Sequence, residues 1–217
     1  MPDSPQPGGP VTAADVEQAV ALALAGMRDA LAADWHTRAG TLEWDCWETV
    51  EHMSDDLFGY AAQLGPRNPP LRDPVPFACA ARRPGGPVGA ISVGPGSGPA
   101  GLLQVFEATG ALLATMVAAS RPYPVGQQPF GVADPTGFAA TIGVAEVLVH
   151  MRDVAQGLGI VWAPPGGLCR RALTRLFPDA PAETDPWTTL LWATGRGELA
   201  GYPTVTSWRW HTGRPAT

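Results

Sequence analysis

Thr141-Ile-Gly-Val-Ala-Glu-Val-Leu-Val-His-Met-Arg-Asp153 sets Glu146 and His150 four residues apart in a largely apolar stretch, and its reading decides the fold. A helix turns once in about 3.6 residues, so positions i and i+4 share a face, and the carboxylate and the imidazole point the same way. At about 100° per residue Ile142 and Asp153 join that face, while Val144, Val147, Leu148 and Met151 cover the opposite side. A helix that is apolar nearly all round is normally buried. A carboxylate or imidazole inside it is costly unless it is hydrogen-bonded, paired or bound to a metal. The segment therefore predicts a central helix of an all-α protein. Its polar stripe is either a metal or catalytic site, or an i,i+4 contact worth only a few tenths of a kcal/mol, about 0.2–0.5.

Working outward, Asp134-Pro135 supplies a cap and a first turn for this helix, and Gly157 or Gly159 ends it. Upstream, Thr12-Ala-Ala-Asp15 has the form of a capping box, and Val16, Val20, Leu22, Leu24, Met27 and Leu31 follow at mixed spacings of 3 and 4, predicting a helix over 12–34. Asp45 caps a second helix, with Val50, Met53, Leu57, Tyr60, Ala61 and Leu64 as its stripe, running to Gly65. Pro99 to Ser120 forms a third, on Leu102, Phe106, Leu113 and Val117. Between the second and third, residues 65–97 are rich in proline and glycine. Within them Pro74–Ala81 and Val88–Val93 are too short and broken to be read as strands. Four long helices with one long connection predict a four-helix bundle of crossover topology. Shorter helices near 165–177 and 185–195 follow, and the tail Ser207-Trp-Arg-Trp210 is expected to fold back on the bundle. The expected layout is a disordered tail over 1–10, a bundle over 11–160 and a helical extension over 161–217.

Composition narrows the function. The chain has 217 residues, 45% of them hydrophobic, and a net charge of -6. That length supports a proper core, and the acidic balance argues against a nucleic-acid partner, which needs a basic surface to release phosphate counterions. All fourteen basic residues are arginine. Cys46, Cys79 and Cys169 are widely spaced and make no CxxC pair, so isolated reduced thiols of a cytoplasmic protein are expected rather than a disulfide framework or a zinc ribbon. The first ten residues lack the apolar core of a signal peptide. The apolar run Leu102–Ala119, interrupted by Gln104 and Glu107, is read as too short for a bilayer span. No membrane is expected, and the assembly is a monomer or homodimer.

On the second helix, His52 lies beside the core stripe and Asp56 one turn further on. His52, Glu146 and His150 would then be two imidazoles and a carboxylate on facing helices, a set suited to Zn²⁺, Ni²⁺ or Fe²⁺ with coordination positions left for water or substrate. Asp56 is either a partner of His52 or a solvated charge. His36 and His211 fall in loop and tail. The tryptophans at 162, 187, 192, 208 and 210 are read mainly as core or lid residues.

Two stretches carry a resemblance. Trp44-Asp-Cys-Trp-Glu-Thr-Val-Glu-His52-Met and Gly143-Val-Ala-Glu146-Val-Leu-Val-His150-Met-Arg-Asp153 resemble the two metal-bearing helices of the mycothiol-dependent maleylpyruvate isomerase-like proteins, in the DinB-like superfamily. Leu190-Leu-Trp-Ala-Thr-Gly-Arg196 is similar to a segment near the C-terminus of many of them. The resemblance implies a DinB-like four-helix bundle binding a divalent metal, usually zinc, through His52, Glu146 and His150, with mycothiol as cosubstrate.

The implied activity is a thiol S-transferase or isomerase. A thiol that enters an open position on a metal loses its proton and becomes the nucleophile toward a small electrophile. Asp153 is the candidate catalytic residue, as a proton acceptor or a ligand's partner, or else a solvated helix-end charge. Arg196 offers a fork of donors to a cosubstrate or substrate carboxylate, or caps a helix. A non-catalytic metal-binding or small-ligand bundle, or a metal-dependent hydrolase with Asp153 or Glu146 as base, are the alternatives. The family's isomerase has a larger C-terminal domain than residues 161–217 here, and the crossover 65–97 is unusually rich in proline and glycine. A different acceptor pocket is expected.

Overall fold

The computed structural model describes residues 9–124 and 126–213, so most of the expected disordered tail lies outside the described residues. Six helices follow one another: α1 (Ala13–Arg28), α2 (Cys46–Leu64), α3 (Gly98–Ala119), α4 (Pro135–Leu158), α5 (Gly166–Leu176) and α6 (Pro186–Ala193). The protein is mostly helical, as the apolar periodicity requires. Asp45 starts α2 by accepting from the Glu48 amide, while the Glu48 side chain returns to the Asp45 amide. Asp134 accepts from Gly137 N ahead of α4, and Gly159 ends that helix in the left-handed region at φ 69°.

α1 and α2 each pack against both α3 and α4 and lie diagonally across from each other. Met27, Met53, Leu57, Phe106, Leu113, Leu148 and Met151 fill the space between them, each contributing about 1.5–3 kcal/mol by leaving water. Gly143 allows α4 to come close: a Cβ there would stand 2.6 Å from Leu113 Cδ2 and 3.4 Å from Leu57 Cδ2. That approach places the middle of α4 against α2, where His52 projects. α5 packs on α4 and α6 on α5, and a buried Arg171–Asp15 ion pair ties α5 to the start of α1.

Three expectations are corrected. α1 ends at Arg28 rather than at 34. The chain turns there so that Trp35 is only 3% exposed, its indole N–H donating to Ala30 O, and Leu31 is left 40% exposed. Burial of the larger ring outweighs continuing the helix. The crossover carries a short antiparallel hairpin, β1 (Ala80–Ala81) with β2 (Val88–Gly89), in the register Ala80 to Gly89 and Ala81 to Val88. And α3, at 22 residues, is long and apolar enough to cross a membrane, although Leu102, Phe106 and Leu113 turn one face of it into the core. The Trp-rich tail packs chiefly on the end of α5: Trp210 lies 5.3 Å and Trp208 6.3 Å, ring to ring, from Phe177.

Candidate metal centre

α2 and α4 bring His52, Glu146 and His150 together, with one ligand atom of each lying within 4.8 Å of the others. The i,i+4 pair on α4 is closed, His150 Nε2 standing 3.2 Å from Glu146 Oε2. The two imidazoles meet edge to face at 5.1 Å between ring centres. The side chains of Glu146 and His150 are buried, whereas His52 and Asp56, about one-fifth exposed, form the accessible edge.

Each histidine also faces a second carboxylate. Asp56 Oδ2 lies 3.3 Å from His52 Nε2, and Asp153 Oδ2 lies 3.4 Å from His150 Nδ1. Asp153 is not a solvated helix end: its side chain is 1% exposed and accepts from Arg196 Nε at 2.9 Å. Arg196 also reaches to 3.5 Å from His150 Nδ1 and donates to Thr194 O. All five residues singled out in the sequence thus meet in one cluster, with Arg196 behind His150 and its guanidinium engaged by Asp153.

Electrostatics divide the two imidazoles. Burial and the neighbouring His150 push the His52 pKa down to about 4. Burial also disfavours a charge on His150, but hydrogen bonds to Asp153 and Glu146 outweigh it and raise that group to about 9. Glu146 is likewise disfavoured as an anion by burial, yet the His150 hydrogen bond holds its pKa below the ordinary value. Asp56 is raised well above the usual range by burial and by the Glu146 charge. At neutral pH the cluster therefore holds a proton on His150, and His52 is neutral.

The donor set fits a divalent ion. Two imidazoles and a carboxylate converge from two rigid helices, and His52 Nδ1 is a buried nitrogen with no hydrogen-bond partner among the described residues. His52, Glu146 and His150 could hold such an ion, with Asp56 and Asp153 in the places that outer carboxylates take behind histidine ligands.

Two features were not singled out from sequence. Trp44 stands 4.8 Å from the His52 ring and 6.3 Å from His150, and its indole N–H donates to Gly85 O in the crossover. Three carboxylates of α2 clasp that crossover. Glu48 takes two short bonds from Arg83, Glu51 pairs with Arg82 and accepts from Val93 N, and Asp55 accepts from Ala90 N and Ile91 N. Their spacing at i, i+3 and i+7 marks one helix face, and the adjacent arginines at 82 and 83 were the matching signal. A cleft of about 360 Å³ lies between this face and the hairpin, with His52 in its wall.

The remaining candidates lie elsewhere. His36 bonds to Asp45 on an exposed loop. His211 lines a separate cleft of about 830 Å³ beside Phe177, Trp192, Trp208 and Trp210, to which no member of the cluster contributes. Cys46, Cys79 and Cys169 are all free thiols. Comparison with family models, with curated proteins and with solved structures found no match to this chain.

Proposed function

We propose that the chain is a metal-dependent thiol S-transferase or isomerase of the DinB-like, mycothiol-dependent kind that α2 and α4 resemble in sequence. The observation that carries the reading is the convergence of His52, Glu146 and His150 at a site whose accessible edge is His52 and Asp56. The diagonal packing of α1 and α2 and the long α2–α3 connection support a DinB-like bundle. A divalent ion, zinc on this reading, supplies Lewis acidity that lowers the pKa of an incoming thiol.

The chain's own residues set the stage for that chemistry. Asp153, held by Arg196, fixes the His150 ring at Nδ1 and leaves Nε2 toward Glu146. Asp56 does the same for His52 at Nε2. Asp153 faces the back of His150, so its part is positional. Trp44 lies alongside both imidazoles, 4.8 Å from the His52 ring and 6.3 Å from the His150 ring. The chain does not provide the nucleophile from its buried thiols: burial pushes both Cys46 and Cys169 up to about 12, so neither ionises at neutral pH. An external thiol, mycothiol in this proposal, fills that role, and a reducing cytoplasm suits it.

Metal analysis of the purified protein combined with titration by mycothiol tests the reading. One ion per chain is expected, lost in His52→Ala and His150→Ala, together with thiol-dependent consumption of an electrophile. Metal binding without conjugate would identify a binding protein instead. Turnover that is indifferent to added thiol would identify a hydrolase.

A further inference from the structure

Tyr60 stands on α2 beyond His52 and Asp56, in steps of four residues. Each such step turns about 40° round the helix, so Tyr60 lies between the stripe that faces α4 and the core stripe of Met53 and Leu57. A helical side chain leans toward the N-terminus of its own helix, which carries the phenol back over Asp56 toward His52. Resting on the functional reading above, we infer that Tyr60 is a further catalytic residue whose hydroxyl donates a proton to an oxygen of the acceptor. The acceptor is accordingly an electrophile that gathers charge on oxygen, of the epoxide class.

The surroundings of the ring carry the argument. It packs against α4 one turn before Glu146, where a Cβ added at Gly143 would stand 3.9 Å from Tyr60 Cδ2. Phe130 lies 6.2 Å away, ring to ring. Its backbone has φ 63°, a left-handed conformation that a bulky residue holds only under strain. The loop before α4 bears that strain while the Phe130 ring meets both Tyr60 and Phe138. Tyr60 is thus held in place, yet it is only half-buried, and its hydroxyl is not enclosed and makes no hydrogen bond among the described residues. Burial and the charges of Asp56, Glu146 and Asp55 raise its pKa well above the ordinary phenol value, and the proton stays on oxygen. The hydroxyl is therefore a neutral donor within reach of the Asp56 and Glu146 charges, with no internal partner to give up.

A donor of this kind discriminates between leaving groups. Chloride departs as a stable anion and gains little from a proton, whereas an oxygen that leaves carbon needs one. In the implied step the thiolate sulfur bonds to a ring carbon of the epoxide and the carbon–oxygen bond breaks. The freed oxygen takes the Tyr60 proton, and the proton released by the thiol returns to Tyr60 through water. Thiol and epoxide combine into a hydroxy thioether, with no further reactant.

Two measurements on the full chain decide the inference. In the first, which needs no turnover, cobalt-loaded protein is titrated with acetohydroxamate, an oxygen-bearing ligand, and with ethanethiol, and binding is followed in the visible spectrum. Tyr60→Phe should weaken hydroxamate binding at least fivefold and ethanethiol binding less than twofold, with cobalt content and helix content unchanged. Equal effects on both ligands, or none on the hydroxamate, would overturn the inference.

In the second, zinc-loaded protein and mycothiol are given styrene oxide or 4-nitrobenzyl chloride, each rate being divided by that of the uncatalysed reaction. Tyr60→Phe should lower kcat for the epoxide at least thirtyfold and for the chloride less than threefold, with the KM for mycothiol unchanged. Transfer to the chloride alone, or equal losses with both acceptors, would overturn the inference and leave the functional reading standing. Protein that binds no metal, or that conjugates neither acceptor, would defeat the functional reading and the role of Tyr60 with it.

Discussion

Replacing Arg196 with methionine should destabilise the protein by about 3 kcal/mol, at the low end of the ~3–5 kcal/mol typical when one partner of a buried ion pair is removed. The Asp153 side chain is 1% exposed, its Oδ2 accepts from Arg196 Nε at 2.9 Å, and its Oδ1 has no partner among the described residues. Methionine keeps much of the packing of the arginine stem but supplies no donor. The carboxylate then has His150 Nδ1, 3.4 Å away, as its remaining charged neighbour, and this fallback places the loss at the lower bound. A domain of this size loses roughly 2–4 °C of Tm per kcal/mol, so the expected fall is about 6–12 °C.

Urea denaturation of metal-free protein at neutral pH measures the effect without a contribution from metal linkage. The double variant Asp153→Asn/Arg196→Met removes the stranded charge and should recover at least about 1 kcal/mol relative to the single variant, as contacting residues couple. The reasoning fails if Arg196→Met lies within about 0.5 kcal/mol of the wild type, or if the double variant is the less stable of the two.

Asp56→Asn should weaken metal binding about 10–100-fold, the usual effect of losing a histidine's outer carboxylate, with helix content unchanged; competition with a chelator of known affinity measures it. Glu48 is disfavoured as an anion by burial, but the Arg83 bonds hold its pKa below the ordinary value of 4.5. Its stabilising contribution is therefore present above that value and lost as the pH falls through the lowered one. Glu48→Gln should flatten this acid limb in pH-dependent denaturation, and an unchanged limb would show that the clasp does not contribute. Gly40 has φ +52°, and a Cβ there would stand 2.8 Å from Gln156 Oε1 and 3.2 Å from Asp153 Oδ1. Gly40→Ala should cost about 1–2 kcal/mol from the left-handed backbone alone, and a gain in Tm would contradict this.

What could be read from the sequence was what is local. Asp45 and Glu48 cap α2 within one turn, and Asp134, Pro135 and Gly159 delimit α4, so both helices were legible from their ends. The Glu146/His150 stripe was legible because helix periodicity alone puts the two side chains together. The features that escaped depend on distant residues. α1 stops at Arg28 because Trp35 has a place in the core, which helical spacing through Leu31 cannot announce. The grip of Glu48 on Arg83 joins residues 35 apart in sequence, and that of Arg196 on Asp153 residues 43 apart. Taken alone, Asp153 could be read as a solvated helix-end charge and Arg196 as a helix cap. Only their pairing gives them a shared place behind His150.

α2 explains why the candidate metal centre and the cleft form one unit. At about 100° per residue its side chains fall into three stripes. Val50, Met53 and Leu57 enter the core, Glu48, Glu51 and Asp55 hold the crossover, and His52 with Asp56 faces α4. The core stripe fixes the rotation of the helix, since turning it to expose Leu57 would forfeit about 1.5–3 kcal/mol for that side chain alone. With the rotation fixed, the positions of His52 and of the clasp relative to each other follow from residue spacing alone. The cleft therefore keeps its place beside His52, and Trp44 links cluster and hairpin, its ring standing 4.8 Å from that of His52 and 6.3 Å from that of His150 while its indole N–H donates to Gly85 O. Changes to the clasp should consequently alter the cleft before they alter the His52, Glu146 and His150 cluster, because the cluster rests on the core stripe and the hairpin does not.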